Sequence, residues 1–407
     1  MKEGTKNLGF KDYFLSKRVD FSKIEAQRKK IEDYKNGEYA DFINQFLKVF
    51  NSLINLDYVE KSDKLENVDY GDFSKELRDI KYALITNSGI LAFELTKDIK
   101  ARGNKQETFA FKNNTEFRNA MREILKNHRK GIKIISYDEL EKFYQKKGLL
   151  GKLNAYQLPA RFYDNDTNLV FINPMTNEFK ILPNKNHMLA LEIITNLAKE
   201  AKNNSGIKLT PKLLERINGV MFKGTEMEGQ TGIGKFRETN VTVGYPPYWE
   251  TIVFREVAKR DDLGNIKGYN NSQLIKEIKE LLDFCNNDKN LSPVERAAII
   301  NLEISRMQPF RDGNKRLARL MTNYELLKHG YPTIAFRSNG KEDYDQRLRR
   351  CINSKDAREF VEYLNDMIYQ QQNIYLKEFD IMKYYLEEDN ENTLIYNQDV
   401  EDEEEKQ

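Results

Sequence analysis

The chain has 407 residues, with 66 lysines and arginines against 64 aspartates and glutamates and a formal net charge of +2. That length suits two or three domains with cores of their own, and the near-balance of charge excludes a wholly disordered polyelectrolyte. Two cysteines and three histidines exclude a disulfide scaffold and a histidine-rich metal site, which leaves a reducing, cytoplasmic setting as the expectation. No apolar run approaches membrane-spanning length, and Met1–Lys6 lacks the apolar core of a secretory signal. Charge is unevenly spread: the segment from Glu387 onward is acid-rich, so the rest is mildly basic. A solvated lysine-rich surface accounts for that better than nucleic-acid binding does.

From about Phe10 to Lys100 the pattern predicts helices, and residues 1–105 read as a helical N-terminal region. Ile43, Phe46, Leu47 and Phe50 form one apolar stripe, while Ile80, Leu84, Ile90 and Leu91 contribute to a second. Ser62-Asp63-Lys64-Leu65-Glu66-Asn67 lies among Asp57, Glu60, Asp63, Asp69 and Gly71, a neighbourhood that favours an exposed capping turn.

Residues 106–185 read as a small α+β region. Glu116–His128 is a helix, and Ile132-Lys133-Ile134-Ile135 a short strand. Ala160–Tyr163 and Leu169–Ile172 flank Asp164-Asn165-Asp166-Thr167 as a hairpin, and Phe179–Leu182 adds a further strand. The clustered bases Lys126, Arg129, Lys130 and Lys133 come without a nucleic-acid-reading motif, so they read as charged surface.

From His187 the pattern is helical again. Leu189, Leu191, Ile194 and Leu197 mark one helix, Leu213, Leu214, Ile217 and Met221 another, and Leu274, Ile278, Leu281 and Cys285 a third. Between them, Phe236-Arg237-Glu238-Thr239-Asn240-Val241-Thr242 alternates as an edge strand does, with backbone donors and acceptors to offer a partner strand. Ser292-Pro293-Val294-Glu295 then opens a helix with a capping box and proline at its first position. A polar loop ending in Gly313 enters the next helix near Asn314, which Gly330 and Pro332 terminate. The free N–H groups and positive dipole end at such a helix start form a ready anion site. Arg316 and Arg319 stand three apart on one side of it, and Asp312 sits where a carboxylate can hold a divalent cation against phosphate.

Gln308-Pro309-Phe310-Arg311-Asp312-Gly313-Asn314-Lys315-Arg316-Leu317-Ala318-Arg319 resembles the signature of Fic proteins, His-Pro-Phe-x-Asp/Glu-Gly-Asn-Gly-Arg-x-x-Arg. Two positions depart from it: Gln308 stands at the histidine and Lys315 at the second glycine. The resemblance extends over 186–376 and implies an all-helical domain with a β-hairpin flap, making the chain mainly α. It implies transfer of AMP from ATP to a hydroxyl of a target protein. Asp312 would bind Mg2+, and Gly313, Asn314, Arg316 and Arg319 would hold the phosphates. Phe310 would anchor the loop, and Phe236, Arg237, Thr239, Asn240, Val241 and Thr242 would form the flap over the target. Ser62 and Glu66 resemble the inhibitory motif of many Fic proteins, whose glutamate pairs with the second signature arginine, here Arg319.

The departures cut against turnover. A glutamine amide accepts a hydrogen bond but cannot serve as a base near neutral pH, and losing a general base costs about a hundred- to ten-thousand-fold. Lys315 puts a long side chain where glycine would let phosphate approach, and the Asn-Lys-Arg ending resembles the Doc branch, whose members phosphorylate a protein target. Three expectations therefore stand: an adenylylating enzyme impaired at Gln308, a Doc-like kinase, and a nucleotide- or protein-binding pseudoenzyme. Homodimerisation and delivery into a host cell stay open, and residues 377–407 read as a disordered acidic tail.

Overall fold

The structure, a computed structural model, describes residues 5–66, 80–95, 109–110, 133–136, 165–172, 182–204, 206–241, 257–263, 265–336 and 341–404. The described chain is mainly helical and divides into two compact units. The first comprises residues 1–28, 54–69 and 181–372, and the second residues 29–53, 70–180 and 373–407.

The elements run β1 (Lys6–Asn7), β2 (Phe14–Leu15), α1 (Ser22–Asn36), α2 (Ala40–Lys64), β3 (Ile80–Leu95), β4 (Phe109–Ala110), β5 (Lys133–Ser136) and β6 (Asn165–Ile172). They continue with α3 (Leu182–Asn203), α4 (Pro211–Phe222), β7 (Ala258–Arg260), β8 (Ile266–Tyr269), α5 (Ser272–Asn287), α6 (Pro293–Met307), α7 (Asn314–Lys328), α8 (Lys341–Ser354) and α9 (Arg358–Glu404).

The first unit is built around α6 and α7. Ser292 Oγ accepts from Glu295 N–H at 3.2 Å while Glu295 Oε2 accepts from Ser292 N–H at 2.8 Å, the reciprocal box that the sequence predicts. Every residue of α6 except Pro293 and Arg306 is buried, and so is α7 from Asn314 to Leu326. Helices buried on all sides belong in the middle of a bundle. Their polar side chains bond across the contact: Asn301 Nδ2 donates to Thr322 Oγ1 at 2.9 Å, and Tyr344 Oη donates to Asn301 Oδ1 at 2.9 Å. Such matched pairs fix the register of two helices that apolar packing alone would leave free to slide. Helix α7 ends at a left-handed Gly330, where Tyr331 N–H returns to Leu326 O at 3.1 Å. Cys285 and Cys351 are buried free thiols, as expected.

An N-terminal strap clasps this bundle. Lys6 Nζ meets both oxygens of Glu295 at 2.6 and 2.7 Å, and Tyr13 Oη donates to Glu303 at 3.0 Å. Phe14 pairs through its backbone with Lys355 and Ala357 at the α8–α9 turn.

In the second unit four strands are ordered β4-β3-β6-β5, with β3 antiparallel to β6 and the outer pairs parallel. This corrects the reading of Ile80, Leu84, Ile90 and Leu91 as a helical stripe: all four lie in β3. Strand pairing with residues more than 70 positions away overrides a local periodicity. The turn expected at Asp164–Thr167 is also corrected, because Asn165 and Asp166 pair with Ser88 and Asn87 inside the ladder. The strand read at Ile132–Ile135 appears as β5. Glu116–His128, Ala160–Tyr163 and Phe179–Ile181 lie outside the described residues, while Leu182 opens α3 instead of closing a strand. The acidic tail read as disordered continues α9 as helix to Glu404. Leucine, glutamate and glutamine keep helix propensity where few side chains are apolar. No helix among the described residues is long and apolar enough to cross a membrane.

Candidate active site

The loop between α6 and α7 is held from three sides before any ligand is considered. Gln308 caps α6 in a left-handed conformation (φ 45°, ψ 64°), and its Nε2 donates to Ser305 O at 2.6 Å. That side chain is therefore turned back onto its own helix, where it satisfies one of the last-turn carbonyls. Phe310 is buried against Phe236, ring centroids 5.2 Å apart, which supports its reading as the loop's anchor. Asn314 accepts from Phe310 N–H and donates to Phe310 O, both at 2.8 Å. Its amide is thus committed to shaping the loop, which differs from the expectation that it faces phosphate.

Gly313 precedes α7 at φ 79°, and no side chain caps the helix start. A Cβ at Gly313 would sit 2.8 Å from Phe222 Cε2, so glycine is required by space as well as by backbone. The first N–H groups of α7 have no intrahelical acceptor. Asp312 is exposed at the mouth, and its Oδ1 accepts from Gly313 N–H at 2.6 Å. Its carbonyl takes Asn218 Nδ2 at 2.9 Å, and Asn218 Oδ1 in turn accepts from Gly234 N–H at 2.8 Å. Among the described residues no group of three or more His, Cys, Asp or Glu could hold a metal by itself.

Two arginines follow. Arg316 is buried with its guanidinium 5.1 Å above the Phe222 ring, and its Nε has no hydrogen-bond partner among the described residues. Arg319 is fully buried: Nε donates to Ser62 Oγ and Nη2 to Ser62 O, both at 2.8 Å, while Nη2 also reaches Glu66 Oε1 at 2.7 Å. Its Nη1 finds no partner among the described residues. Burial alone would push the Glu66 carboxyl up, but Arg319, helped by Lys315 and Arg316, holds it below its ordinary value. Ser62 has no exposed surface, which corrects the exposed capping turn: the end of α2 is tied to α7.

Lys315 does not stand in the way of the helix start. Its ammonium bonds both oxygens of Asp345 on α8, at 2.6 and 2.7 Å. The edge strand expected over Phe236–Val241 is corrected too. Phe236 and Arg237 are buried, and Arg237 donates to Gln308 O at 2.6 Å, Met307 O at 3.2 Å and Thr239 O at 2.7 Å. Burial pushes its guanidinium down to about 10. Arg237 thus staples the loop from behind, which prevents an extended edge there. Thr239, Asn240 and Val241 follow without forming a strand, and Thr242 lies outside the described residues. A hairpin follows as β7 and β8, with Asn240 Oδ1 accepting from Val257 and Ala258 N–H at its base.

Residues 208–326 match the family model for the Fic/DOC family. The chain carries a Fic domain. "Protein adenylyltransferase fic-1" of Caenorhabditis elegans is 32% identical over 93 residues, covering 22% of this chain and 18% of that protein. "Protein adenylyltransferase Fic" of Nematostella vectensis is 35% identical over 74 residues, covering 18% of this chain and 17% of its own length. The match thus spans less than a fifth of those relatives. A crystal structure of a Fic domain-containing signaling protein from Bacteroides thetaiotaomicron aligns over 88% of this chain and 97% of its own, at 16% identity and a TM-score of 0.45.

Sequence reasoning missed Asn218, Phe222, Asp345 and His187. Asn218 left a signal, a polar residue on the buried face that Ile217 and Met221 share. Asp345 left none, because its partner lies 30 residues away on another helix.

Proposed function

We propose that the start of α7 binds the phosphates of ATP, that the Fic domain is built to transfer AMP to a protein hydroxyl, and that two features of this chain hold that transfer back. The observation that carries the reading is a pair of buried guanidinium donors, Arg316 Nε and Arg319 Nη1, without acceptors among the described residues, beside an uncapped helix start. Buried N–H groups without acceptors are costly, and phosphate oxygens are acceptors that would satisfy them. Mg2+ suits a site with one carboxylate, Asp312, because that ion takes most of its other ligands from phosphate and water; bound, it would neutralise developing charge.

In the transfer, the target's hydroxyl oxygen bonds to the α-phosphorus, the bond to the β-phosphate oxygen breaks and pyrophosphate leaves. The hydroxyl proton needs a base. Gln308 cannot take it, and its side chain is already bonded to Ser305 O. Glu66 adds the second restraint by occupying Arg319 Nη2, so that nitrogen is unavailable to a phosphate chain unless the Ser62–Glu66 turn moves.

The decisive experiment incubates the protein, Gln308→His and Glu66→Gly/Gln308→His with Mg2+ and ATP labelled at the α or γ phosphate. Label from α on protein, rising by about a hundredfold or more with histidine, supports adenylyl transfer. Label from γ alone replaces it with Doc-like phosphoryl transfer. The Gln308 geometry favours one further reading, a nucleotide-binding module without turnover; ATP heat without label in any form would establish it. No ATP heat in any form sinks the site altogether.

A further inference from the structure

Asp63 lies inside the Ser62–Glu66 turn, and its carboxylate meets a residue of α3. Its Oδ1 accepts from His187 Nδ1 at 2.7 Å, with both side chains entirely buried. His187 stands on α3, which packs along α7, the helix carrying Arg319. The turn itself is closed locally, with Glu66 N–H donating to Asp63 O at 2.8 Å. The end of α2 is thus fastened twice, to Arg319 through Ser62 and Glu66, and to α3 through Asp63.

His187 Nε2 is buried with no partner among the described residues, and its ring lies edge-on to Tyr58 at 5.5 Å. An apolar ring of similar size would fill that space without stranding a polar atom. What the histidine adds is therefore its Nδ1 bond to Asp63. We propose that His187 is a positioning residue for the proposed inhibitory contact: through Asp63 it holds the turn so that Glu66 stays on Arg319. This rests on the reading of Glu66 given above.

Calorimetry with ATP and Mg2+ tests it on the full chain. Glu66→Gly should tighten ATP binding, and His187→Phe should tighten it by about tenfold, the scale of one buried charge-assisted hydrogen bond. His187→Asn, whose amide nitrogen can stand near the Nδ1 position, should return affinity to that of the unaltered protein; a merely space-filling role would not distinguish Asn from Phe in this way. In the Glu66→Gly background His187→Phe should add nothing, because no inhibitory contact remains to hold. If Glu66→Gly tightens binding while His187→Phe does not, the latch is overturned and the inhibitory contact stands. If Glu66→Gly leaves a measurable affinity unchanged, both fall, though the phosphate site survives. Should His187→Phe fail to fold, Asp63→Asn, equal in size and weaker as an acceptor, carries the same test at smaller amplitude.

Discussion

The two ends of the α6–α7 pair carry similar charges and use them differently. At the far end, where α6 begins and α7 finishes, Arg296 commits all three guanidinium nitrogens. Nε donates to Glu325 at 2.7 Å, Nη1 to Leu291 O at 2.6 Å, and Nη2 lies 3.1 Å from His329 Nε2. At the near end, Arg316 and Arg319 are as deeply buried, yet each keeps a nitrogen without an acceptor among the described residues. One fold thus shows what a fully bonded structural arginine looks like and, a helix length away, what one with a donor left over looks like. The difference lies in which hydrogen bonds are left over, since burial is the same.

The largest expected effect breaks the structural end. Glu325→Ala strands Arg296 in the core and should lower unfolding free energy by about 3–5 kcal/mol in urea titration. ATP heat per folded molecule should persist. Replacing both partners, as Arg296→Met with Glu325→Leu, should recover most of that loss; failure to recover would mean that the charges themselves specify the packing. The near end should respond in the opposite way. Gly313→Ala forces a side chain into left-handed backbone, about 1–2 kcal/mol, and into the Phe222 ring. Stability should fall modestly while ATP heat disappears. Heat that survived would show that the helix start is not the phosphate site.

The smallest effect sharpens the contrast through pH. Burial holds His329 below its ordinary value of 6.5, with Arg296 adding to it and Glu325 opposing. The unfolded chain therefore takes up the proton first, so this stability is present above pH 6.5 and is lost as pH falls through the folded value. Urea midpoints should drop on acidification in that window, and His329→Gln should flatten the drop. Glu66 is held below its own ordinary value of 4.5, so its contact with Arg319 should weaken only at still lower pH.

Much of the helical bundle was legible because its signals are local. The Ser292 box and the glycines at 313 and 330 each act within a few residues. What failed was non-local. Ile80–Leu95 carries helix-like spacing, and its partner strand lies some 80 residues on. The edge strand expected from Phe236 is not formed as far as Val241, because the Phe236 and Arg237 side chains are drawn into the loop's rear. At the site, the family signature marked Asp312, Gly313, Arg316 and Arg319 at the start of α7, while the Asp345 and His187 contacts depend on helix packing that no window of sequence contains. Ser62 and Glu66 were found only through their resemblance to a known motif, since 253 residues separate Glu66 from Arg319.

Position 308 sets fitness criteria against each other. Its glutamine plugs an otherwise bare carbonyl at the end of α6, a service that imidazole, with its ring held close to the backbone, performs less readily. A library sorted by heat resistance should therefore keep glutamine there, and one sorted by labelling of a target should discard it.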